Sequence, residues 1–299
     1  MTYFFAIYGQ DKIKGGILMK NLGRTDLAVE DYECSYKDEI SEYEVNGYPV
    51  SKIQVSAEHG KKIKKEPGLY YTITFNSLLH FLHDEENAVS GVLKEIIEEI
   101  MSEMQLDKNP KVFVVGLGNK GVTADSLGPA VCDKLLITKH LFDLNLNEDN
   151  LGVLSSIAPG VMGQTGIQTS DIVAAIVKKI KPDLVIVVDA LAARNLKRLN
   201  RTIQVTNTFI KPGAGVNNTK SKAISKENLG CNIIAIGVPT VVEIASILAE
   251  MDQNKVEQLI DNDLNYAVSC KEIDEVIQML ADIIAKAINL AVHKLDHYE

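Results

Sequence analysis

The sequence predicts an α/β fold in which a mixed, mostly parallel central sheet is flanked by helices, with a β-hairpin region near the N-terminus. Three short, nearly continuous apolar runs carry this prediction: residues 111–116, 183–189 and 232–237. Runs of this kind are typical of strands that are buried on both faces. Segments with helical periodicity separate them, as expected when helices cover both sides of a sheet.

The hairpin region is predicted from residues 43–76, where apolar side chains alternate in a strand-like way on either side of a turn-rich, basic stretch at 59–68. An amphipathic helix is predicted next, over 88–104, because its apolar residues recur at helical spacing with acidic residues opposite. Further helices are expected at 127–134, 170–181, 241–251 and 273–293.

Composition argues against several classes of partner. The 31 basic and 40 acidic residues give a net charge of -9, which disfavours nucleic acid or an anionic membrane as the main partner. No apolar run approaches the roughly 18 residues of a membrane span, and the apolar start lacks the features of a secretion signal. The 4 cysteines are scattered without metal-ligand spacing, so we expect reduced thiols in a cytoplasmic protein, no metal and no cofactor.

The turn after the first apolar run, Gly116-Leu-Gly-Asn-Lys-Gly121, formally matches a dinucleotide-binding loop. Such a loop needs a helix that opens there and an acidic residue about 20 positions on, and neither follows cleanly. The HExxH, GxSxG and P-loop signatures are also missing from the sequence. The pattern therefore disfavours nucleotide, metalloprotease and serine hydrolase chemistry.

Two aspartates are the leading catalytic candidates. Asp125 lies in the loop after the first run and Asp189 ends the second, where open α/β sheets form their ligand crevice. If the two strands are neighbours, the carboxylates could share a cleft in which one keeps a proton while the other activates water. The alternative is that each aspartate caps a following helix. Residue types and spacing leave both interpretations open.

Two glycine-rich stretches, 159–166 and 211–216, are predicted near strand ends. They could shape a substrate groove with exposed backbone donors, or they could be tight turns.

Ordered blocks of sequence resemble the germination protease family, which cleaves small acid-soluble spore proteins when spores germinate. The similarity runs from Arg24 to His293. The blocks are Val115-Gly-Leu-Gly-Asn119, Asp125-Ser-Leu-Gly-Pro129, Leu136-Ile-Thr-Lys-His-Leu141, Pro159-Gly-Val-Met-Gly-Gln-Thr-Gly166, Asp189-Ala-Leu-Ala-Ala-Arg194 and Ala235-Ile-Gly-Val-Pro-Thr240.

The resemblance implies a fold similar to that of the hydrogenase maturation proteases and an aspartic-type endopeptidase with Asp125 and Asp189 as catalytic residues. It implies a homotetrameric zymogen of the spore core that processes itself between Asp26 and Leu27, cleaves after an acidic residue and takes spore proteins as substrates. The domain boundaries expected from it are a propeptide at 1–26 and one catalytic domain at 27–299, divided into a β-rich subregion, 27–87, and an α/β core, 88–299. Expected substrate contacts are Gly118, Asn119, Gly160, Gly163, Arg194, Gly213 and Gly215.

Two alternatives to this function remain at this point. In a metal-assisted peptidase like the hydrogenase maturation enzymes, the same carboxylates would hold a metal ion. In a non-catalytic peptide- or nucleotide-binding module, the same crevice would bind without turnover.

Overall fold

A computed structural model describes residues 25–76, 83–146, 150–210, 223–251, 266–293 and 295. Within these residues, helices pack on both faces of one nine-stranded sheet, which confirms the predicted mixed α/β class. The strands are β1 (Ser41–Val45), β2 (Tyr48–Val55), β3 (Gly68–Thr74), β4 (Lys111–Gly116), β5 (Val153–Ile157), β6 (Leu184–Ala193), β7 (Thr202–Thr206), β8 (Asn232–Glu243) and β9 (Ala267–Val268).

The α-helices of the described residues cover the sheet and connect its strands. They are α1 (Ala28–Ser35), α2 (Ala57–Ile63), α3 (His83–Glu103), α4 (Leu127–Asp133), α5 (Lys139–Asp143), α6 (Met162–Thr165), α7 (Thr169–Ile180), α8 (Lys226–Leu229), α9 (Ile244–Met251) and α10 (Ile273–Val292). A short 3-10 turn, Thr123–Asp125, precedes α4.

The strand order is β1-β2-β3-β7-β8-β6-β4-β5, and β9 pairs with β8. Neighbours among β8, β6, β4 and β5 run parallel, which is the arrangement predicted for the apolar runs. The other pairings are antiparallel, from the hairpin strands through β7 to β8. The predicted hairpin region therefore joins the core sheet along its β3–β7 edge.

The central strand β6 shows how the two faces are filled. Leu184, Ile186 and Val188 pack into the cluster that includes α3, α4 and α10, whereas Val185 and Val187 face α7. Side chains alternate across a strand, so a continuous apolar run supplies both layers at once. This alternation explains why these strands could be recognised from sequence.

Several boundaries differ from the sequence-based expectation. The basic stretch predicted as a turn contains α2, whose first turn is capped by Ser56 Oγ accepting from the His59 amide at 3.1 Å. The helix predicted to begin at Val241 begins at Ile244, because β8 continues to Glu243. Strands β5 and β7 were not predicted.

The four cysteines, all within the described residues, form no disulfide. Among the described helices, none combines the length and apolar character needed to cross a bilayer.

Candidate active site

Asp189 lies inside β6 and pairs with Gly237 of β8. The sequence placed it at the end of a strand, but β6 continues to Ala193 because β8 runs beside it over the same length. On the other side, β4 ends at Gly116, opposite Val188. Asp189 therefore stands at the point where β4 stops and the loop after β4 begins.

This loop folds back so that Asp125 lies against the end of β4. The amide of Leu117 donates to the carbonyl of Val188 at 2.8 Å, which extends the contact with β6 by one residue. Two residues further on, the amide of Asn119 donates to the carbonyl of Asp125 at 3.0 Å. The same amide also donates to the carboxylate Oδ2 of Asp125 at 2.9 Å. The structure thus brings Asp125 and its loop to the carboxyl end of β4, beside the part of β6 that carries Asp189.

Neighbouring strands hold the 3-10 turn that carries Asp125. Thr240 of β8 donates its hydroxyl to the carbonyl of Ala124 at 2.6 Å, and the turn also contacts β6 and α10. Three elements thereby fix the position of the Asp125 backbone.

The capping interpretation is wrong for both aspartates. The N-cap residue of α4 is Ser126, without a side-chain cap, and the Asp125 carboxylate accepts from Asn119 instead. Asp189 is a strand residue whose Oδ1 accepts from the following amide, of Ala190, at 2.9 Å. Neither carboxylate therefore acts as the N-cap of a helix.

Burial raises the pKa of the Asp125 carboxyl above its ordinary value. The hydrogen bond from the Asn119 amide opposes this effect, because it favours the ionised form. Burial is the larger of the two, so Asp125 retains its proton to higher pH than an exposed aspartate does.

The first glycine-rich stretch reaches the same loop. Gln164 of α6 donates its Nε2 to Asn119 Oδ1 at 2.6 Å, and the carbonyl of Gly160 accepts from Thr169 Oγ1 at 3.1 Å. Gly160 adopts a φ of 74°, in the left-handed region that glycine favours, whereas Gly163 lies in open space. Gln164 was not predicted as a site residue, although it lies in the block of residues 159–166, because its partner Asn119 is distant in the chain.

Arg194, expected to contact substrate, is engaged by α1. Its Nη2 bonds Asp31 Oδ1 at 2.8 Å, and its backbone amide donates to Glu30 Oε2 at 2.8 Å. The other expected contacts, Gly213 and Gly215, lie outside the described residues.

The predicted processing bond lies beside the extended end of β6. The amide of Asp26 donates to the carbonyl of Ala192 at 2.9 Å, and the amide of Ala192 donates to Asp26 Oδ2 at 2.9 Å. The carbonyl of Asp26 accepts from Gln204 Nε2 at 3.2 Å, and the side chain of Leu27 is fully buried. The segment is thus docked on the same strand that carries Asp189.

Among the described residues, no cluster of three or more histidine, cysteine, aspartate or glutamate side chains is arranged to hold a metal ion. No helix opens at the glycines of residues 116–121, as a dinucleotide loop would require; the following helix is α4.

A cavity of about 490 Å³ lies at the opposite end of the sheet from Asp189. Its lining includes Asn232 and Ile233 at the start of β8 and Glu103 at the end of α3, but neither predicted aspartate. We therefore place the candidate active site at the carboxyl edge, where the polar groups converge, rather than in this cavity.

A family model described as germination protease matches residues 24–256. The germination protease of Caldanaerobacter subterraneus is 38% identical, covering 90% of this chain and 94% of the relative, and that of Bacillus velezensis is 35% identical, covering 91% and 93%. The germination protease of a Geobacillus species is 42% identical over 76% of this chain, which spans 65% of that relative.

Among solved structures, a NiFe hydrogenase maturation protease, HycI from Thermococcus kodakarensis, aligns with 18% identity and a TM-score of 0.31. The alignment covers 64% of this chain and 98% of that one.

Proposed function

Because this chain belongs to the germination protease family, we propose that it is an endopeptidase that initiates degradation of small acid-soluble spore proteins during germination. The observation that carries the catalytic part of the proposal is that Asp189 of β6 and the loop of Asp125 both lie at the carboxyl end of β4. Open α/β sheets bind their ligands at the carboxyl ends of their strands. The substrate class rests on family membership.

In the proposed mechanism, one carboxyl group acts as general acid and the other as general base. Burial raises the pKa of Asp125, which suits the group that carries the proton, so we assign Asp125 as general acid and Asp189 as general base. Asp189 takes a proton from water as the water oxygen bonds to the scissile carbonyl carbon. The carbon–nitrogen bond then breaks as Asp125 protonates the leaving nitrogen, which leaves a new carboxylate and a new amine.

Substrate would lie as an extended peptide along the loops that carry Gly118, Asn119, Gly160 and Gly163. The Gln164–Asn119 bond joins these two loops, and Asn119 contacts Asp125. Backbone groups of the loops would offer hydrogen bonds to a peptide. The proposed substrate contacts also include Gly213, Gly215 and Arg194.

We further propose that the Asp26–Leu27 bond is a self-processing site, with residues 1–26 as propeptide and 27–299 as catalytic domain (27–87 β-rich, 88–299 α/β). The docking of Asp26 on Ala192 supports this, since it lies on the same strand as Asp189. Along β6, Ala192 lies three residues beyond Asp189. At about 3.3 Å per strand residue, this is a separation of roughly 10 Å. Processing would therefore require the segment to shift along β6 or to be presented to another copy. A homotetrameric zymogen in the spore core is proposed from family membership alone.

The test is mass spectrometry of the purified chain after incubation with a peptide containing Thr-Glu-Phe-Ala-Ser-Glu. We expect cleavage after the first glutamate, and we expect Asp125→Asn and Asp189→Asn each to abolish it without changing the melting temperature. Asp143→Asn is the matched control, because that carboxylate is exposed and pairs with Lys139 at 2.6 Å. Turnover that survives in both active-site variants, or none from a chain that begins at Leu27, would contradict the proposal.

Chelation distinguishes the metal-assisted alternative. Cleavage that persists in excess EDTA supports the aspartate mechanism, whereas cleavage that EDTA stops and added zinc restores supports a metal-assisted one.

A further inference from the structure

The side chain of Asn119 is held in one orientation beside Asp125. Its Oδ1 accepts from the amide of Gly121 at 2.9 Å and from Gln164 Nε2 at 2.6 Å. A backbone N–H can only donate, so the atom that faces Gly121 is the oxygen of the Asn119 carboxamide and not its nitrogen. Over the described stretches of the chain, no group accepts the hydrogens of Asn119 Nδ2. A fixed and unused donor therefore lies in this half-buried loop.

The orientation of Gln164 is defined by the same logic. The amide of Val161 donates to Gln164 Oε1 at 3.4 Å, which leaves Nε2 to face Asn119. Gln164 thus belongs to the stretch 159–166 and bonds a side chain in the loop after β4, residues 117–126. The two loops lie far apart in sequence, and this bond sets their relative position at the site.

The backbone of Asn119 is tied to the proposed acid. Its amide donates to Asp125 Oδ2 at 2.9 Å, so the residue whose side chain Gln164 orients also holds the Asp125 carboxylate. The three residues form one continuous chain of hydrogen bonds, Gln164 to Asn119 to Asp125.

We propose that Asn119 Nδ2 donates a hydrogen bond to the scissile carbonyl oxygen as negative charge develops on it, and that Gln164 is the positioning residue that keeps this donor oriented. The inference rests on the proposed function and assigns roles within that same site. An ionised carboxylate cannot supply such a donor, whereas an asparagine amide fixed in advance can. The donor is oriented before substrate binds, so little reorganisation is needed during the reaction.

The first test is steady-state cleavage of the peptide by a chain that begins at Leu27 and carries Asn119→Ala or Asn119→Asp. Asn119→Asp keeps the shape and the acceptor for Gly121 but removes the donor. We expect kcat to fall by about 10²–10³-fold, the effect typical of losing one oxyanion donor, with little change in KM. A wild-type kcat in Asn119→Ala would overturn the inference.

The second test concerns Gln164, whose exposed side chain can be changed without disturbing the core. We expect Gln164→Ala to lower kcat by roughly 10-fold, at unchanged KM and melting temperature. Gln164→Glu should lower kcat at least as much, because a carboxylate cannot donate to Asn119 Oδ1. Gln164→Ala with wild-type kcat would overturn its positioning role.

A double-mutant cycle separates positioning from a merely structural effect. If Gln164 acts through Asn119, Gln164→Ala should cause no further loss of kcat in the Asn119→Ala background. Losses that multiply would contradict the inference.

The same assay keeps this inference distinct from the proposed function. If cleavage depends on Asp125 and Asp189 but not on Asn119, only the inference fails. If the wild-type chain that begins at Leu27 does not cleave the peptide, both fail.

Discussion

At the scale of single residues, the shape of the aspartate loop depends on Gly118. Its φ is 115°, and a Cβ added there would lie 1.9 Å from the carbonyl oxygen of Asp125. Only glycine combines this backbone conformation with so close an approach. The turn that presents Asp125 is therefore sensitive to a single methyl group.

We predict that Gly118→Ala lowers the free energy of unfolding by roughly 1–3 kcal/mol, from backbone strain and the clash together. Cleavage should also be lost, because Asp125 must move. Gly163→Ala in the neighbouring loop is the matched control, since nothing lies within 4 Å of the added Cβ. Urea unfolding of the two variants checks the prediction, and equal stabilities would count against it.

His293 is a buried, neutral residue at the end of α10. Its Nδ1 accepts from the amide of Gly152 at 3.1 Å, and Nε2 then carries the proton that is donated to the carbonyl of Leu136 at 2.9 Å. Burial lowers the pKa of this imidazole below its ordinary value. The folded state therefore resists a proton that the unfolded chain accepts.

Stability should accordingly decline in acid. As pH falls below about 6.5, the ordinary pKa of histidine, the unfolded chain binds a proton at His293 while the folded chain does not. The stability that neutral His293 contributes is therefore present above that pH and is lost as pH falls through the lowered pKa of the folded state. We predict that His293→Gln flattens the dependence of melting temperature on pH between about 7 and 5. The control is His140→Gln, which changes an exposed ring and should leave the pH dependence of the melting temperature as in the wild type. An unaltered slope in His293→Gln would exclude this residue as the cause.

At the scale of elements, α1 is attached to the end of β6 by buried acidic contacts. Glu30 is 4% exposed, and its two oxygens accept from the backbone amides of Arg194 and Asn195 at 2.8 and 2.9 Å. Val29 and Tyr32 of the same helix are packed in a hydrophobic cluster with β2 and β3. The helix that follows the proposed processing bond is thus an integral part of the fold.

We predict that Glu30→Ala destabilises the chain by about 2–3 kcal/mol, because it removes two charge-assisted hydrogen bonds and leaves their amide donors unpaired. Glu33→Ala, which removes an acid that is 44% exposed and pairs with Arg198, should cost under about 1 kcal/mol. Hydrogen exchange over residues 25–36 should accelerate in the first variant and not in the second. Similar exchange in both would refute the anchoring role.

At the scale of the whole molecule, the seam between β3 and β7 joins the hairpin strands to the parallel strands. Ile73 and Ile203 face each other across it and are both fully buried. Since the sheet continues through this seam, we expect the two regions to unfold together.

Ile203→Ala should therefore lower stability by about 2–5 kcal/mol, through lost burial and the cavity left behind. Ile203→Val should cost only about 0.5–1.5 kcal/mol. Hydrogen-exchange protection should fall in β2 and β3 as well as in β8. A loss confined to one side of the seam would show that the hairpin region is a separate unit.

Some strands and helices could be predicted because the spacing of apolar residues along the chain indicates which faces of an element are buried. The runs that became β4, β6 and β8 are apolar on both faces, and α10 repeats its apolar face along its length. Strand β7, Thr-Ile-Gln-Val-Thr, was missed because it is not a continuous apolar run, although its polar residues are buried as well. The continuation of β6 beyond Asp189 was missed because it depends on pairing with β8 and on docking of Asp26.

The sequence by itself determined the α/β class, the family and the two candidate aspartates, since apolar periodicity and ordered motif blocks are local properties of the chain. Only the tertiary structure decided that Asp125 and Asp189 both lie at the carboxyl end of β4, that Gln164 bonds Asn119, and that α1 is anchored by Glu30. Each of these depends on hydrogen bonds between residues far apart in the chain. Such bonds form only when strand order and loop conformation bring donor and acceptor together, and no local pattern records that geometry.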